Sequence, residues 1–221
     1  MIAFDLDDTL FKEMSFVASG YRAVANAVAV ATGADADTLF DIICRNRPRG
    51  YEAVIEYIEG RPGAESISVG ALVEIYNSHT PDIRLGRDAE ETLEALKAAG
   101  HALVLITDGT SGRQRSKIRA LGLERFFAPE AILISGETGG DKTSEVPWTA
   151  AEKLDDGRGR IYVGDNPAKD FRLPNRRGWV TVMLRDRSGE NVHAQNPLDF
   201  PPENRPRLTI DRLSDLATAL S

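Results

Sequence analysis

Three short segments and one lysine hold the residue types that could do chemistry in this chain. Asp5 and Asp7 stand two apart in DLDDT. On an extended backbone their side chains leave on the same side and can converge on one cation. Thr9 completes the pattern. Thr107, Asp108, Gly109 and Thr110 follow the apolar run HALVLI and precede a helical pattern. A helix start exposes unpaired N–H groups and glycine lets an anion come close, which suits a phosphate. Gly164, Asp165 and Asp170, in GDNPAKD, supply two further acids. With Asp5 they offer the hard oxygen ligands that Mg²⁺ takes in octahedral geometry, with water completing the shell. Lys142 follows GETGGD; beside an acid cluster and an anion site it would neutralise phosphate charge and hold a carboxylate. Each feature also has a plainer reading: acidic turns are often only solvated, and Thr107 and Thr110 can serve as caps. His79, His101 and His193 are scattered and read as surface or strand-start residues. Cys44 is the single cysteine, so neither an internal disulfide nor a Cys-based zinc site is expected.

These groups need elements to position them. Met1 to Leu6 is an apolar run that meets Asp5, Asp7 and Asp8, which predicts a buried strand ending in polar residues. The same pattern recurs at His101 to Thr110 and Arg160 to Asn166, and shorter apolar runs cover Ala131 to Ile134 and Trp179 to Leu184. Helical patterns separate them. Asp88 reads as an N-cap with Glu91 three residues on, followed by Leu93, Leu96 and a closing Gly100. A second helix should start near Thr110 or Ser111 and stop at Gly122, and a third should cover Pro147 to Leu154. Strands alternating with helices predict an α/β fold, a Rossmann-like parallel sheet that binds ligands at the carboxyl ends of its strands. From Glu13 to Arg84 the alternation lapses: Phe16, Tyr21, Val24 and Val28, then Leu39, Ile42 and Ile43, Val54, Ile55 and Ile58, and Leu72, Val73 and Tyr76 recur near helical spacing. The expected domains are therefore a core of residues 1–13 and 85–221 and a helical insertion of 14–84, with Pro81 and Gly86 suited to a linker. Asn196 to Pro206 should be an irregular loop and Ile210 to Leu220 a last helix. Trp148 and Trp179 read as core, and Arg172, Arg176 and Arg177 as surface charges. Arg45, Arg47 and Arg49, beside Tyr51 in RNRPRGY, form the densest basic patch of the insertion. They could select a second anionic group on a substrate, or simply close a helix end.

Composition narrows the classes. The 221 residues carry 27 Lys+Arg against 34 Asp+Glu, a formal net charge of −7, with 42% hydrophobic residues. That supports a packed core and argues against a chain-wide grip on nucleic acid or an anionic membrane. No stretch reaches the ~18 apolar residues of a membrane span, and the acidic start is unlike a signal peptide. The expectation is a cytoplasmic protein with a small-molecule partner, and its oligomeric state stays open.

DLDDTL at Asp5 to Leu10, ITDG at Ile106 to Gly109, Lys142, and GDNPAKD at Gly164 to Asp170 occur in the order and approximate spacing of four motifs. In this the chain resembles haloacid-dehalogenase-like (HAD) hydrolases. The insertion between the first two motifs resembles the family's C1 cap, and Thr143 stands where many relatives carry proline. The resemblance implies that Asp5 is a nucleophile and Asp7 a general acid/base, with Thr107 and Lys142 binding the transferring phosphoryl group and Asp108 and Gly109 beside them. It also implies that Asp165 joins Asp5 and the backbone carbonyl of Asp7 on Mg²⁺, with Asp170 a ligand or its support. An acid two residues after the nucleophile favours phosphoryl transfer over dehalogenation, because a halide leaving group needs no proton. The expected activity is Mg²⁺-dependent hydrolysis of a small phosphomonoester through an aspartyl-phosphate. A phosphomutase, a receiver-type signalling domain and a binding protein with a degenerate site are the alternatives.

Overall fold

The short apolar runs pair side by side because each is too apolar on both faces to lie at a surface. The computed structural model describes residues 1–219. Its strands are β1 Ile2–Phe4, β2 Leu103–Thr107, β3 Ile132–Ile134, β4 Ile161–Gly164, β5 Val180–Leu184 and β6 Leu208–Ile210. They form one parallel sheet in the order β3-β2-β1-β4-β5-β6. Phe4, the last residue of β1, pairs with Leu105 on one side and Val163 on the other. The chain steps from β1 outward to β3 and then returns to place β4 on the opposite side of β1. Such a reversal opens a crevice at the carboxyl ends, and Asp5 and Asp165 are the first residues beyond β1 and β4.

Two compact units are present: Met1–Met14 together with the chain from Arg84 onward, and Ser15–Ile83. The helices α1 Glu13–Thr32, α2 Ala36–Arg45, α3 Gly50–Ile58 and α4 Val69–Ser78 account for the insertion. Their inward residues, among them Val24, Val28, Leu39, Ile43, Val54, Ile58 and Leu72, make a core of their own. Asp35 and Ser68 cap α2 and α4, accepting the N–H groups of Thr38 and Ala71. Gly20 lets α1 approach Tyr76, whose ring carbon lies 2.4 Å from where a Cβ would stand.

The first unit adds α5 Arg87–Ala98, α6 Ser111–Ala120, α7 Ser135–Thr138, α8 Glu145–Glu152, α9 Arg172–Arg176 and α10 Leu216–Ala219. Trp148 and Trp179 are fully buried, and Trp148 meets Tyr162 edge-on with ring centroids 4.9 Å apart. Two expectations are corrected. Asp88 is not an N-cap: Gly86 occupies that position, and the Asp88 carboxylate accepts the Leu213 N–H at 2.8 Å and Arg212 Nη2 at 3.2 Å, pinning the C-terminal segment. The chain after the Pro-rich loop is not helical from Ile210. It first adds β6 to the sheet edge, with the Arg185 N–H donating to the Ile210 carbonyl at 2.9 Å, and only then turns into α10. Leu220, the expected helix end, lies outside the described residues. Three residues with one buried side chain carry too little pattern to announce a strand, and the open edge of β5 supplies the reason for it.

Candidate active site

Asp5 is placed by the sheet itself. Its N–H donates to the Val163 carbonyl at 2.9 Å, so the last bond between β1 and β4 belongs to the residue that bears the carboxylate. Asp5 Oδ1 accepts the Leu6 N–H at 2.7 Å and lies 2.6 Å from Lys142 Nζ. Lys142 also reaches Asp170 Oδ1 at 2.8 Å. A loop lysine acquires this fixed place because its N–H donates to Asp108 Oδ1 at 3.1 Å and its carbonyl accepts Trp148 Nε1 at 3.0 Å. Asp170 Oδ1 takes the Tyr162 hydroxyl as well, at 3.1 Å, while Oδ2 takes the N–H groups of Asp165 and Asn166 at 3.1 and 2.8 Å. Four hydrogen bonds occupy its two oxygens, and through them it holds Lys142 and the turn. Gly164 makes this possible, since a Cβ there would stand 2.5 Å from Asp170 Oδ2.

Thr107 ends β2 and is buried; its Oγ1 accepts Gln114 Nε2 at 2.6 Å. Asp7 lies on the turn after β1, with Gln114 Nε2 3.0 Å from its Oδ2 and Lys117 Nζ 2.6 Å from its Oδ1. The N–H of Gly109 donates to Ser135 Oγ at 2.9 Å, so that amide is engaged within the protein. Gly109 has φ 148°, and a Cβ there would stand 3.0 Å from Gln114, which gives the glycine a packing reason. Asp8, at φ 52°, turns the chain and accepts the Glu13 N–H at 3.0 Å. The acids, Thr107 and Lys142 among these residues line a cavity of about 250 Å³.

The model of the haloacid dehalogenase-like hydrolase family matches residues 2–183, most of the chain. The chain is a haloacid dehalogenase-like hydrolase. This HAD hydrolase is 27% identical over 231 residues to glyceraldehyde 3-phosphate phosphatase of Methanopyrus kandleri, covering 98% of this chain and 97% of that one. It is 29% identical over 163 residues to ribulose-1,5-bisphosphate 5-phosphatase of Halopiger xanaduensis, covering 73% and 66%. Its fold matches the putative HAD hydrolase YfnB of Bacillus subtilis, a structure bound to magnesium, with TM-score 0.64, 19% identity and coverage of 100% and 97%. The helical insertion after β1 is the C1-type cap of this family.

The donor set of the HAD hydrolase suits a hard divalent cation. Asp5, Asp165 and Asp170 are buried, and one carboxylate oxygen of each lies within 4.8 Å of the others. Asp5 and Asp170 share the Lys142 ammonium, and Asp170 carries three further hydrogen bonds, which leaves Asp5 and Asp165 the freer of the three acids to ligate. Burial, then the neighbouring Asp170, pushes Asp165 up to about 7, against the opposing hydrogen bond from Asn191. Burial likewise raises Asp5 well above the carboxylate range, with Asp170 and Asp165 adding to it and Lys142 opposing. Burial works against the Lys142 charge, yet Asp170 and Asp5 outweigh it and hold its pKa well above the usual lysine value. A nearby cation would relieve the excess negative charge.

Asp5, Asp7, Thr107, Asp108, Lys142, Asp165 and Asp170 all line this cavity. The cap arginines belong to the other unit and have partners there. Arg45 pairs with Asp41 at 3.1 Å, Arg49 with Glu56 at 3.7 Å, and the Arg47 guanidinium lies 4.8 Å from the centre of the Tyr21 ring. Residues that the motifs do not announce also take part. Gln114 and Lys117 face inward from α6, Tyr162 holds Asp170, and His193 lines the cavity. Asn191 Nδ2 donates to Asp165 Oδ2 at 2.7 Å. The polarity of α6 masks Gln114 and Lys117 in the sequence; their spacing of three, with Ile118 next, is the signal available for an inward face. His193 and Asn191 sit in an irregular loop, where no periodicity marks a facing side.

Proposed function

We propose that this HAD hydrolase is a Mg²⁺-dependent phosphatase of small phosphorylated metabolites, of the size of a three-carbon phosphorylated aldehyde. The observation that carries the reading is Asp5 beside Lys142 and Asp165 at adjacent strand ends, a carboxylate next to the charges that a phosphoryl group needs. The similarity to glyceraldehyde 3-phosphate phosphatases supports the substrate class. So does a cavity of about 250 Å³, below the usual range for drug-sized ligands.

Asp5 attacks phosphorus through a carboxylate oxygen, the ester P–O bond breaks, and Asp7 gives its proton to the departing alkoxide. Water then attacks the aspartyl-phosphate, Asp7 takes up the proton it releases, and inorganic phosphate leaves with Asp5 restored. Lys142 holds Asp5 and draws in the phosphoryl oxygens, and Thr107 donates its hydroxyl to one of them. Asp5, Asp165 and the backbone carbonyl of Asp7 would hold Mg²⁺, whose charge offsets that of the phosphate against an anionic nucleophile. The inserted helical unit selects among substrates, with Arg45, Arg47 and Arg49 available to a second anionic group.

The test is a panel of glyceraldehyde 3-phosphate, glycerol phosphate, ribulose 1,5-bisphosphate and 4-nitrophenyl phosphate, each with Mg²⁺ and with a chelator. Release of phosphate from the three-carbon esters, lost on chelation and restored by Mg²⁺, is expected. Full turnover after chelation overturns the metal dependence, and turnover confined to the bisphosphate overturns the substrate class.

A further inference from the structure

One buried ammonium of the first unit is left unused by the mechanism above. Lys117 lies on α6, 1% exposed, with its Nζ 5.8 Å from the centre of the Phe11 ring. A buried ammonium is costly unless it is paired, and a methionine of similar length would fill the same space without that cost. Its 2.6 Å bond to Asp7 Oδ1 therefore asks for a reason beyond packing. Gln114, one helical turn earlier and equally buried, donates to the other oxygen of the same carboxylate at 3.0 Å. Two donors from one helix face thus grip Asp7, one on each oxygen, which fixes both the direction and the rotation of its carboxylate.

Gln114 does a second thing. A carboxylate accepts, so the nitrogen end of the amide must face Asp7. That nitrogen has two hydrogens, and the other goes to Thr107 Oγ1 at 2.6 Å. A hydroxyl that accepts on a lone pair keeps its own proton for a different direction. One amide consequently sets the orientation of the acid/base and leaves the Thr107 O–H as a donor.

We infer that Lys117 and Gln114 are positioning residues of the reaction, holding Asp7 and the Thr107 hydroxyl in the geometry that proton transfer and phosphoryl binding require. The inference rests on the phosphatase reading, in which Asp7 moves the proton. Rate is sensitive to such positioning because small misplacements of a catalytic group are expensive.

The test uses the full chain with Mg²⁺, comparing 4-nitrophenyl phosphate, whose leaving group scarcely needs a proton, with glycerol phosphate, whose leaving group does. Lys117→Met should lower kcat/KM on glycerol phosphate by about 10–100-fold, reaching at most the lower end of what general acid–base help supplies, and lower it less on 4-nitrophenyl phosphate, because kcat/KM reports phosphoryl transfer to Asp5 and not the later hydrolysis common to both esters. KM for glycerol phosphate should move little. In an Asp7→Asn background, adding Lys117→Met should change kcat by less than about 2-fold, because a residue acting through Asp7 has nothing left to hold. Gln114→Met should also lower kcat and, by releasing Thr107, raise KM. It serves as the second variant if Lys117→Met fails to fold, a point settled by thermal unfolding.

A folded Lys117→Met enzyme with unchanged kcat on glycerol phosphate overturns the inference. Equal losses of kcat/KM on both substrates, or losses that multiply in the double variant, would assign Lys117 to the scaffold alone. Absence of turnover by the unmutated protein on either ester is a different failure, that of the phosphatase reading itself.

Discussion

Asp5 and Asp7 sit two residues apart in different company, so their loss should look different. Asp5 is buried against Lys142, while Asp7 is held by α6 and remains partly open to solvent. Asp5→Asn should abolish turnover and the covalent adduct together, since an amide does not attack phosphorus usefully. Asp7→Asn should slow turnover by about 10²–10⁴-fold. With 4-nitrophenyl phosphate the first step should survive better than the second, so a phosphoryl group should accumulate on Asp5, visible by intact-protein mass spectrometry after a rapid quench. An adduct in Asp5→Asn would place the nucleophile elsewhere. Asp165 adds a pH prediction at the same scale. Its folded pKa is raised, to about 7 from 3.8, so its contribution to stability is full below 3.8 and is lost as pH rises through about 7. Metal-free protein should therefore melt at a lower temperature at pH 8 than at pH 5. Saturating Mg²⁺ should restore more stability at pH 8, and Asp165→Asn should flatten the metal-free profile. A variant that keeps the full drop would move the cause to another group.

At the scale of elements, the site depends on how strands end. β4 stops at a glycine because Asp170 folds back over it, placing the carboxylate under the N–H groups of Asp165 and Asn166. Gly164→Ala should push Asp170 away from Lys142. Overpacking of this kind typically costs about 1–3 kcal/mol, so a lower melting temperature is expected together with a fall in kcat. Unchanged kinetics in that variant would show that Asp170 can shift without disturbing Lys142. α6 contributes differently: its inward face is polar, and it exports two donors to the turn after β1. Its half-buried residue Arg115 pairs with Glu137 of α7 at 2.6 Å, and that partner, with Ser111, holds the Glu137 carboxyl down to about 2. The two elements that flank Gly109 and Ser135 are tied together on their outer side as well.

For the whole molecule, the division of apolar residues is the informative feature. The sheet unit has a core built on Val104, Ile106, Trp148, Tyr162 and Trp179, and the helical unit has one built on Val24, Leu39, Val54 and Leu72. Each buries its own apolar surface, which is the condition for folding alone. Replacing residues 15–83 by a short flexible linker should leave a folded core that still hydrolyses 4-nitrophenyl phosphate in Mg²⁺, while discrimination among metabolites falls. Circular dichroism and the substrate panel check both parts. Failure of the shortened chain to fold would show that the sheet unit needs apolar cover from the insertion. Among the described residues no helix is long and apolar enough to cross a membrane.

The sequence by itself determined the parallel sheet, the helical insertion and the acids at the strand ends. Each of these is written locally: an apolar run buried on both faces, a recurrence every three or four residues, a polar residue where a strand stops. Asp5, Thr107, Lys142 and Asp165 were legible for that reason, their order along the chain being the order of the strands or loops that carry them. What needed the tertiary structure were side chains whose meaning depends on a distant neighbour. Lys117 reads as one more cation on a basic helix until the helix is docked and its inward face becomes known. Asp88 has the spacing of a cap, yet its carboxylate serves Leu213, more than a hundred residues away. β6 exists because β5 leaves an edge to pair with, and Asp170 is tied to Lys142 of another loop as well as to donors of its own turn. Local pattern decides what an element is, whereas partners far apart in the chain decide what a polar side chain is for.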